Sequence, residues 1–551
     1  MSKKHEPKNH TTCPFCLYGC ELAIVSSINN YIRNVEYLPD AKVNQGRLCP
    51  RGNAASIVLD DKKRLSYPIY QNKAINWNLA LERITQTLKN IDKDEIAITF
   101  DKNFTEEELD LLSGLANELG IENFASSYLE PDYYFSYKAE NCPNAKFSDI
   151  EKAKVFILIG DVFAQTPVIS KPILNARYAD RNNRIFAIDS IPTRTAGFAD
   201  KFLLCRPGTE PLLILAMSTY LTGKIKGLEI ETIAETCGVS VELIEEAAKT
   251  FSTINPGVVI GATNFGRQEN PFLFALAGQV LTLKGGDNKK FLGIGEARSA
   301  FGKVEYGTIH NRIRQGKIKA LLNFGDTFPF YYPQLESDMN QVDNRIVTNL
   351  FRPNHRTNWL VLPTASNLEK TGTIETLWGR AKITKTAEPV SGSKTMQAII
   401  ESVNQALGLA EKKGPRHQAK TITLREVYEQ TREYLAMKKE AASNKAENLL
   451  LLGEKPAIGF LNIFDSENLI KINPIDCEKL NIKDDEIARV ASEIHETELK
   501  VRNTEQIPIG MALVGVNRIE NRKLFPMMID KVSNNVIFPP SIIKIWRKEL
   551  F

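Results

Sequence analysis

Four cysteines within the first 49 positions constrain this chain more than any other feature. Three stand in one tight loop, Cys13-Pro-Phe-Cys16-Leu-Tyr-Gly-Cys20, and the fourth returns in Arg47-Leu-Cys49-Pro50-Arg51-Gly52. Thiolates that converge on one point from different directions are what a cubane 4Fe-4S cluster needs, and a loop can supply three if the fourth comes from elsewhere. Gly19 and Gly52 let backbone amides approach the sulfurs, and Pro14 and Pro50 stiffen the chain beside a ligand. A structural zinc site and unligated thiols are the alternatives. Zinc ribbons usually pair two C-x-x-C units, whereas here the second half offers only Cys49, with no histidine between Cys20 and Cys49. Cys142, Cys205, Cys237 and Cys477 are scattered singly, which is no disulfide framework.

A chain of 551 residues exceeds one compact core, so three or four domains are expected. Apolar and polar positions alternate over 21–37, including Tyr31 and Ile32, and predict short antiparallel strands around the cysteines. Helical spacing over 77–91 and 106–119 flanks a strand at 96–100. Apolar runs at 155–159, 184–188, 257–261, 320–325 and 359–363 each end in turn residues and lead into helical pattern, as buried parallel strands do. In doubly wound sheets ligands sit beyond the carboxyl ends of the strands, so loops at Gly160, Asp189, Gly261, Gly325 and Pro363 would line a cleft. Residues 386–447 read as linker and a charged surface helix, from about 424 to 448, without chemistry of its own. Short β-type runs return at 457–460, 486–490, 498–501 and 511–514. The 70 basic and 66 acidic residues nearly cancel, which gives no reason to expect nucleic acid as a partner. The first residues show no secretory pattern, and no stretch approaches 18 apolar residues, so a cytoplasmic protein without membrane insertion is expected.

Beyond the cysteines, the chain resembles the molybdopterin oxidoreductases, which include formate dehydrogenase catalytic subunits and the largest iron-sulfur subunit of respiratory complex I. The resemblance runs through Arg64-Leu-Ser-Tyr-Pro68, Trp77-Asn-Leu-Ala-Leu81, Asp149-Ile-Glu-Lys-Ala153, DSIPTRTAGFAD at 189–200 and Arg206-Pro-Gly-Thr209. It continues in Leu362-Pro-Thr-Ala-Ser366 with 369–373, and in the segment 471–480. It implies a multidomain α/β fold with an N-terminal Fe-S domain at 1–70. Two doubly wound α/β domains would surround a pterin cleft, one discontinuous (71–140 and 330–385) and one Rossmann-like (141–329). Linker and helix at 386–447 then lead to a C-terminal β-barrel at 448–551. It further implies one 4Fe-4S cluster, with Arg51 between cluster and pterin carrying electrons. A molybdopterin guanine dinucleotide with Mo or W would be lined by Gly160, Asp161, Asp189, Thr193, Thr195, Gly208, Gly261, Gly325, Gly379 and Arg380.

The chain also departs from that pattern. Formate-dehydrogenase-like members carry Cys or selenocysteine followed by His about two dozen residues before the segment resembling 149–151, and here Ala125-Ser126-Ser127-Tyr128 stands there. Cys142 is the nearest thiol. Asp161 and Thr166 replace an Asn and a His, and Thr376 and Trp378 replace an Asn and a Glu before Gly379-Arg380. Two readings follow. In one, the chain is an iron-sulfur electron-transfer subunit of a cytoplasmic multisubunit oxidoreductase, with flavin or Fe-S partners and an inert or empty pterin site. In the other, it is an active molybdenum or tungsten enzyme whose metal ligand is Ser126 or Ser127; as bland residues these two would be loop serines at a helix start.

Overall fold

The computed structural model describes residues 10–26, 33–223, 225–297, 301–326, 328–353, 358–441, 448–455 and 468–548. The expected strand at 457–460, Tyr31, Ile32 and the end of the charged helix beyond 441 lie outside them. The chain divides into two compact units, one of residues 1–129, 297–418 and 529–536, the other of 130–296, 419–528 and 537–551.

In the first unit, the cysteine segment is flanked by a three-stranded antiparallel sheet of His10–Thr12, Glu21–Ser26 and Arg33–Tyr37, as the alternation predicts. A seven-stranded sheet follows the order Lys73–Ala74, Ile69–Tyr70, Leu360–Pro363, Asn344–Asn349, Ala320–Phe324, Ile96–Phe100, Asn123–Ser126, its last five strands parallel. Those strands are buried on both faces, which is why Ile96–Phe100, Ala320–Phe324 and Leu360–Pro363 read as apolar runs, whereas the polar-rich Asn344–Asn349 and Asn123–Ser126 did not. Helices Trp77–Asn90, Glu106–Glu118 and Met396–Leu407 cover the sheet through one apolar cluster that includes Ile84, Leu112, Ile98 and Ile399.

Two buried ion pairs pin the loop after Leu360–Pro363. Glu369 accepts from Arg64 Nη2 (2.6 Å), from the Ser366 backbone and hydroxyl, and from Val390 N–H. Lys370 donates to Glu108 Oε2 (2.6 Å) and to Asn103 O, while Glu108 also closes a capping box with Thr105 at the start of Glu106–Glu118. Charges this deep persist because each is paired with an opposite charge and held by further hydrogen bonds.

The second unit holds a five-stranded, wholly parallel sheet in the order Lys201–Leu204, Arg184–Asp189, Val155–Ile159, Gly257–Ala262, Lys289–Ile294. It also holds a closed six-stranded barrel of Leu449–Glu454, Met511–Gly515, Leu469–Ile472, Glu496–Asn503, Ile487–Ala491 and Ser541–Arg547. Ile191, from the loop after Arg184–Asp189, packs with Leu452, Ile507 and Leu513 of the barrel. The expected α/β multidomain class, with a cysteine domain first and a β-barrel last, is the observed one.

The serines at 126 and 127 are a correction. Ser126 ends the strand Asn123–Ser126, and Ser127 N–H continues the pairing to Phe100 O, so they extend a parallel strand and do not begin a helix. Both are buried.

Replacing Glu369 by Gln would leave Arg64 buried without a counter-charge. Chemical denaturation of E369Q should show a loss of about 3–5 kcal/mol, and removing the arginine as well, in R64M/E369Q, should restore most of it.

Candidate functional site

The cysteine loop is closed on itself, Cys13 N–H donating to Cys20 O at 2.7 Å. Gly19 turns the chain at φ +71°, a conformation that side chains with a β-carbon adopt at a cost. Cys49 precedes the short helix Pro50–Asn53, which carries Arg51. Cys13 and Cys20 are buried and Cys16 and Cys49 half-buried. Burial pushes the Cys13 and Cys20 thiols well up, and Cys16 and Cys49 raise them further, while Arg51 pulls Cys13 back. Cys13 and Cys20 so placed ionise only where a cationic centre takes the place of the proton, as in a metal-thiolate site. Among the described residues no three His, Cys, Asp or Glu side chains converge on a single-ion site. Arg51 is only 2% exposed, so it is not a surface arginine.

The cleft candidates fall in both units. In the five-stranded sheet the chain order reverses between Val155–Ile159 and Gly257–Ala262, which makes the carboxyl ends of those two strands the switch point. Gly160 stands there at φ +76°; a β-carbon on it would lie 2.2 Å from Ala262 O. Asp161 accepts from the Thr195 hydroxyl (2.8 Å) and caps Val162–Gln165, and burial raises its pKa, with Asp189 adding to the rise. Asp189 Oδ1 pairs with Arg267 (2.6 Å), and both groups are buried. Thr193 accepts from Ala196 N–H in the same loop. Gly208 lies at φ +75°, its carbonyl accepting from the Tyr434 hydroxyl (2.5 Å) and its β-position facing Glu269 and Lys438. The helix Leu424–Ala441, read from the sequence as without chemistry of its own, therefore covers this loop. Gly261 serves packing instead, since the Phe135 ring occupies the place of a β-carbon.

In the seven-stranded sheet the switch point falls between Ile96–Phe100 and Ala320–Phe324. Gly325 admits the Asp101 carboxylate there, which accepts from Asp326 and Phe328 N–H. Gly379 is exposed in a hairpin turn, and Arg380 is 70% exposed and pairs with Glu106. Ser127 Oγ accepts from Asn323 (2.5 Å) and Ser126 Oγ from Tyr128 N–H (3.3 Å). The half-buried Cys142 thiol points to Gln279 O.

Three further residues escaped the sequence reading. Glu210 directly follows Arg206-Pro-Gly-Thr209 and is 2% exposed; neither of its carboxylate oxygens makes a well-formed hydrogen bond, although its own backbone amide and Ser190 lie near enough to lower its pKa. Burial, with Asp189 adding, pushes it up to about 7. Arg267 follows the strand Gly257–Ala262 without any sequence signal. Asp132, buried beside Gly295 and accepting from Glu296 N–H (2.5 Å), is pushed up to about 7 by burial first and then by Glu296 and Glu130. Glu210 is one of several buried oxygens of this unit that lack partners, with Thr166, Asp189 Oδ2, Ser190 and Thr263. Each such group costs about 1–3 kcal/mol, so the carboxyl edge of this sheet suits a ligand rich in N–H and O–H groups, as a nucleotide-bearing pterin is.

Comparisons agree with this layout. A family model described as molybdopterin oxidoreductase matches residues 64–405, its Fe4S4 domain 6–60, and the molybdopterin dinucleotide binding domain 460–544. The alpha subunit of an F420-dependent formate dehydrogenase from Methanocaldococcus jannaschii is 28% identical over 291 residues, 46% of this chain and 43% of that protein. The assimilatory nitrate reductase catalytic subunit of Bacillus subtilis is 24% identical over 308 residues, 47% of this chain and 41% of its own length. The matches thus span less than half the length of these relatives. Acetylene hydratase from Pelobacter acetylenicus superposes with a TM-score of 0.74 at 13% identity, covering 98% of this chain and 100% of the other, and this shows a shared fold.

The raised Glu210 pKa carries a sign. Above its ordinary 4.5 the unfolded chain releases this proton while the folded chain keeps it, so stability falls as pH rises from 4.5 to about 7. The penalty is complete above that, at about 3 kcal/mol. E210Q has no proton to lose; its thermal midpoint relative to the cofactor-free parent should climb across this window and level off beyond it.

Proposed function

This chain belongs to the molybdopterin oxidoreductase family, and from that premise we propose that it is an iron-sulfur electron-transfer subunit of a multisubunit oxidoreductase, with a pterin side that turns over no substrate of its own. What supports this reading is the closed loop from Cys13 to Cys20, with Cys49 acting electrostatically on Cys13 and Cys20, and the buried Arg51 whose charge reaches Cys13. Cys13, Cys16, Cys20 and Cys49 would hold the 4Fe-4S cluster. Arg51 would stand between cluster and pterin, offsetting negative charge on both sides and keeping the intervening space dry.

The family's second cofactor is a pterin dinucleotide, which supplies two-electron chemistry at its metal when bound. Glu210, Asp189, Thr166 and Thr263 would accept and donate the hydrogen bonds of its polar end, with Arg267 holding Asp189 in place. What speaks against turnover is the missing sulfur ligand. The two serines nearest the expected position already engage their hydroxyls with Asn323 and Tyr128, which favours the relay over a serine-ligated metal. One cluster passes single electrons, so flavin or further Fe-S subunits are the partners the chemistry requires, and the relatives named as alpha subunits fit such an assembly. No helix among the described residues is long and apolar enough to cross a membrane, and we place the complex in the cytoplasm.

Elemental and pterin analysis of anaerobically prepared protein tests this directly. About four irons per chain, a low-temperature paramagnetic signal that vanishes in C16S or C49S, and no stoichiometric molybdenum or tungsten are expected. Stoichiometric molybdenum or tungsten together with oxidation of formate by the chain alone would overturn the relay reading.

A further inference from the structure

We propose that the hairpin of Gly372–Thr376 and Gly379–Ile383 is the outer clamp of the cluster-binding loop, and that Thr376, Leu377 and Trp378 at its tip are positioning residues that hold the Cys16–Cys20 turn and set the cluster's reduction potential. This rests on the cluster reading above and adds a second element to it.

The hairpin is fixed at its base. Glu107, in the first turn of Glu106–Glu118, accepts from the Thr373 backbone (2.9 Å) and hydroxyl (2.8 Å). Its tip therefore stands at a set place, and that place is the cysteine loop. Leu377 N–H donates to Leu17 O at 2.7 Å, between Cys16 and Tyr18. The Trp378 ring meets the buried Tyr18 ring edge-on, centroids 5.5 Å apart at 88°, while the Tyr18 hydroxyl donates to Val43 O, so Tyr18 is held from both ends. Thr376 lies over Gly19: a β-carbon there would come within 2.8 Å of Thr376 Cγ2. The Thr376 hydroxyl donates to Gly379 O and accepts from Trp378 N–H, locking the turn that presents these contacts. The other strand grips the start of the loop, Thr12 donating to Lys382 O and Thr384 N–H to the Thr11 hydroxyl.

Thr376 and Trp378 are two of the positions at which this chain departs from the Asn and Glu its relatives' pattern implies. The departure exchanges a charged side chain for an indole that excludes water without adding charge. A cluster held by four thiolates gains one further negative charge when it takes up an electron, and water stabilises that form more than an aromatic cover does. Backbone amides aimed at the sulfurs act in the same sense, and their aim depends on the turn that Thr376 and Leu377 hold.

The test is a paramagnetic-resonance redox titration of the full chain, purified anaerobically. W378A should keep about four irons and move the midpoint positive, the reduced-to-oxidised ratio at a fixed potential rising about tenfold, or ~59 mV for one electron. W378F, which keeps a ring edge against Tyr18, should stay close to the parent. T376A should alter the cluster's g values, and T376V, which keeps the methyl over Gly19 but not the hydroxyl that locks the tip, should alter them less than T376A. If W378A does not fold, the T376A and T376V pair decides alone. Parental midpoint and spectrum in both alanine variants would overturn the clamp while leaving the cluster intact. A parent protein with no four-iron signal would overturn the cluster reading and the clamp with it.

Discussion

The gathering of four cysteines at the N-terminus, two of them buried, is the constraint from which this part of the structure follows. Burial disfavours the ionised forms of Cys13 and Cys20, and the neighbouring cysteines disfavour those forms again, so a cationic iron core is what the proposed site would need to hold them as thiolates. The surroundings answer that need. Arg51 brings a buried positive charge, Gly19 gives the left-handed turn, and the hairpin at 372–383 supplies a fixed wall.

A second tension lies at the carboxyl edge of the five-stranded sheet. Asp161, Asp189 and Glu210 face a single Arg267, and several oxygens there have no partner. Protein interiors seldom keep such groups without a ligand to meet them. The relay reading and this polar edge are compatible: a family member can keep the features that hold a cofactor after losing the sulfur that made its metal reactive.

Much of the architecture was legible because the physics behind it is local. The strands Val155–Ile159 and Ile96–Phe100 were readable residue for residue, since strands buried on both faces leave continuous apolar runs between turn signals. Of the barrel strands, Ile487–Ala491, Glu496–Asn503 and Met511–Gly515 overlap the β-type runs read at 486–490, 498–501 and 511–514, while Leu449–Glu454, Leu469–Ile472 and Ser541–Arg547 were not read. What escaped depends on distance along the chain. Arg64 and Glu369 meet across 305 positions, and Glu210 matters only because burial leaves its carboxylate unpaired. Ser126 and Ser127 looked like turn residues by type, yet a sheet edge absorbed them: they continue the pairing with Ile96–Phe100, and Ser127 accepts from Asn323 of the strand beyond it. The helix Leu424–Ala441 read as a charged surface element, correctly for its outer residues, while Tyr434 turns inward to Gly208.

The clamp on the cysteine loop also has a place in time. Thr12 and its partner Lys382 are separated by 370 positions. At roughly 5–20 residues per second, a ribosome delivers the cysteines some 20 to 70 seconds before the hairpin that shuts over them. Throughout that interval the nascent loop stands open on the side that Trp378 will cover, and iron and sulfide delivered then meet no barrier from it.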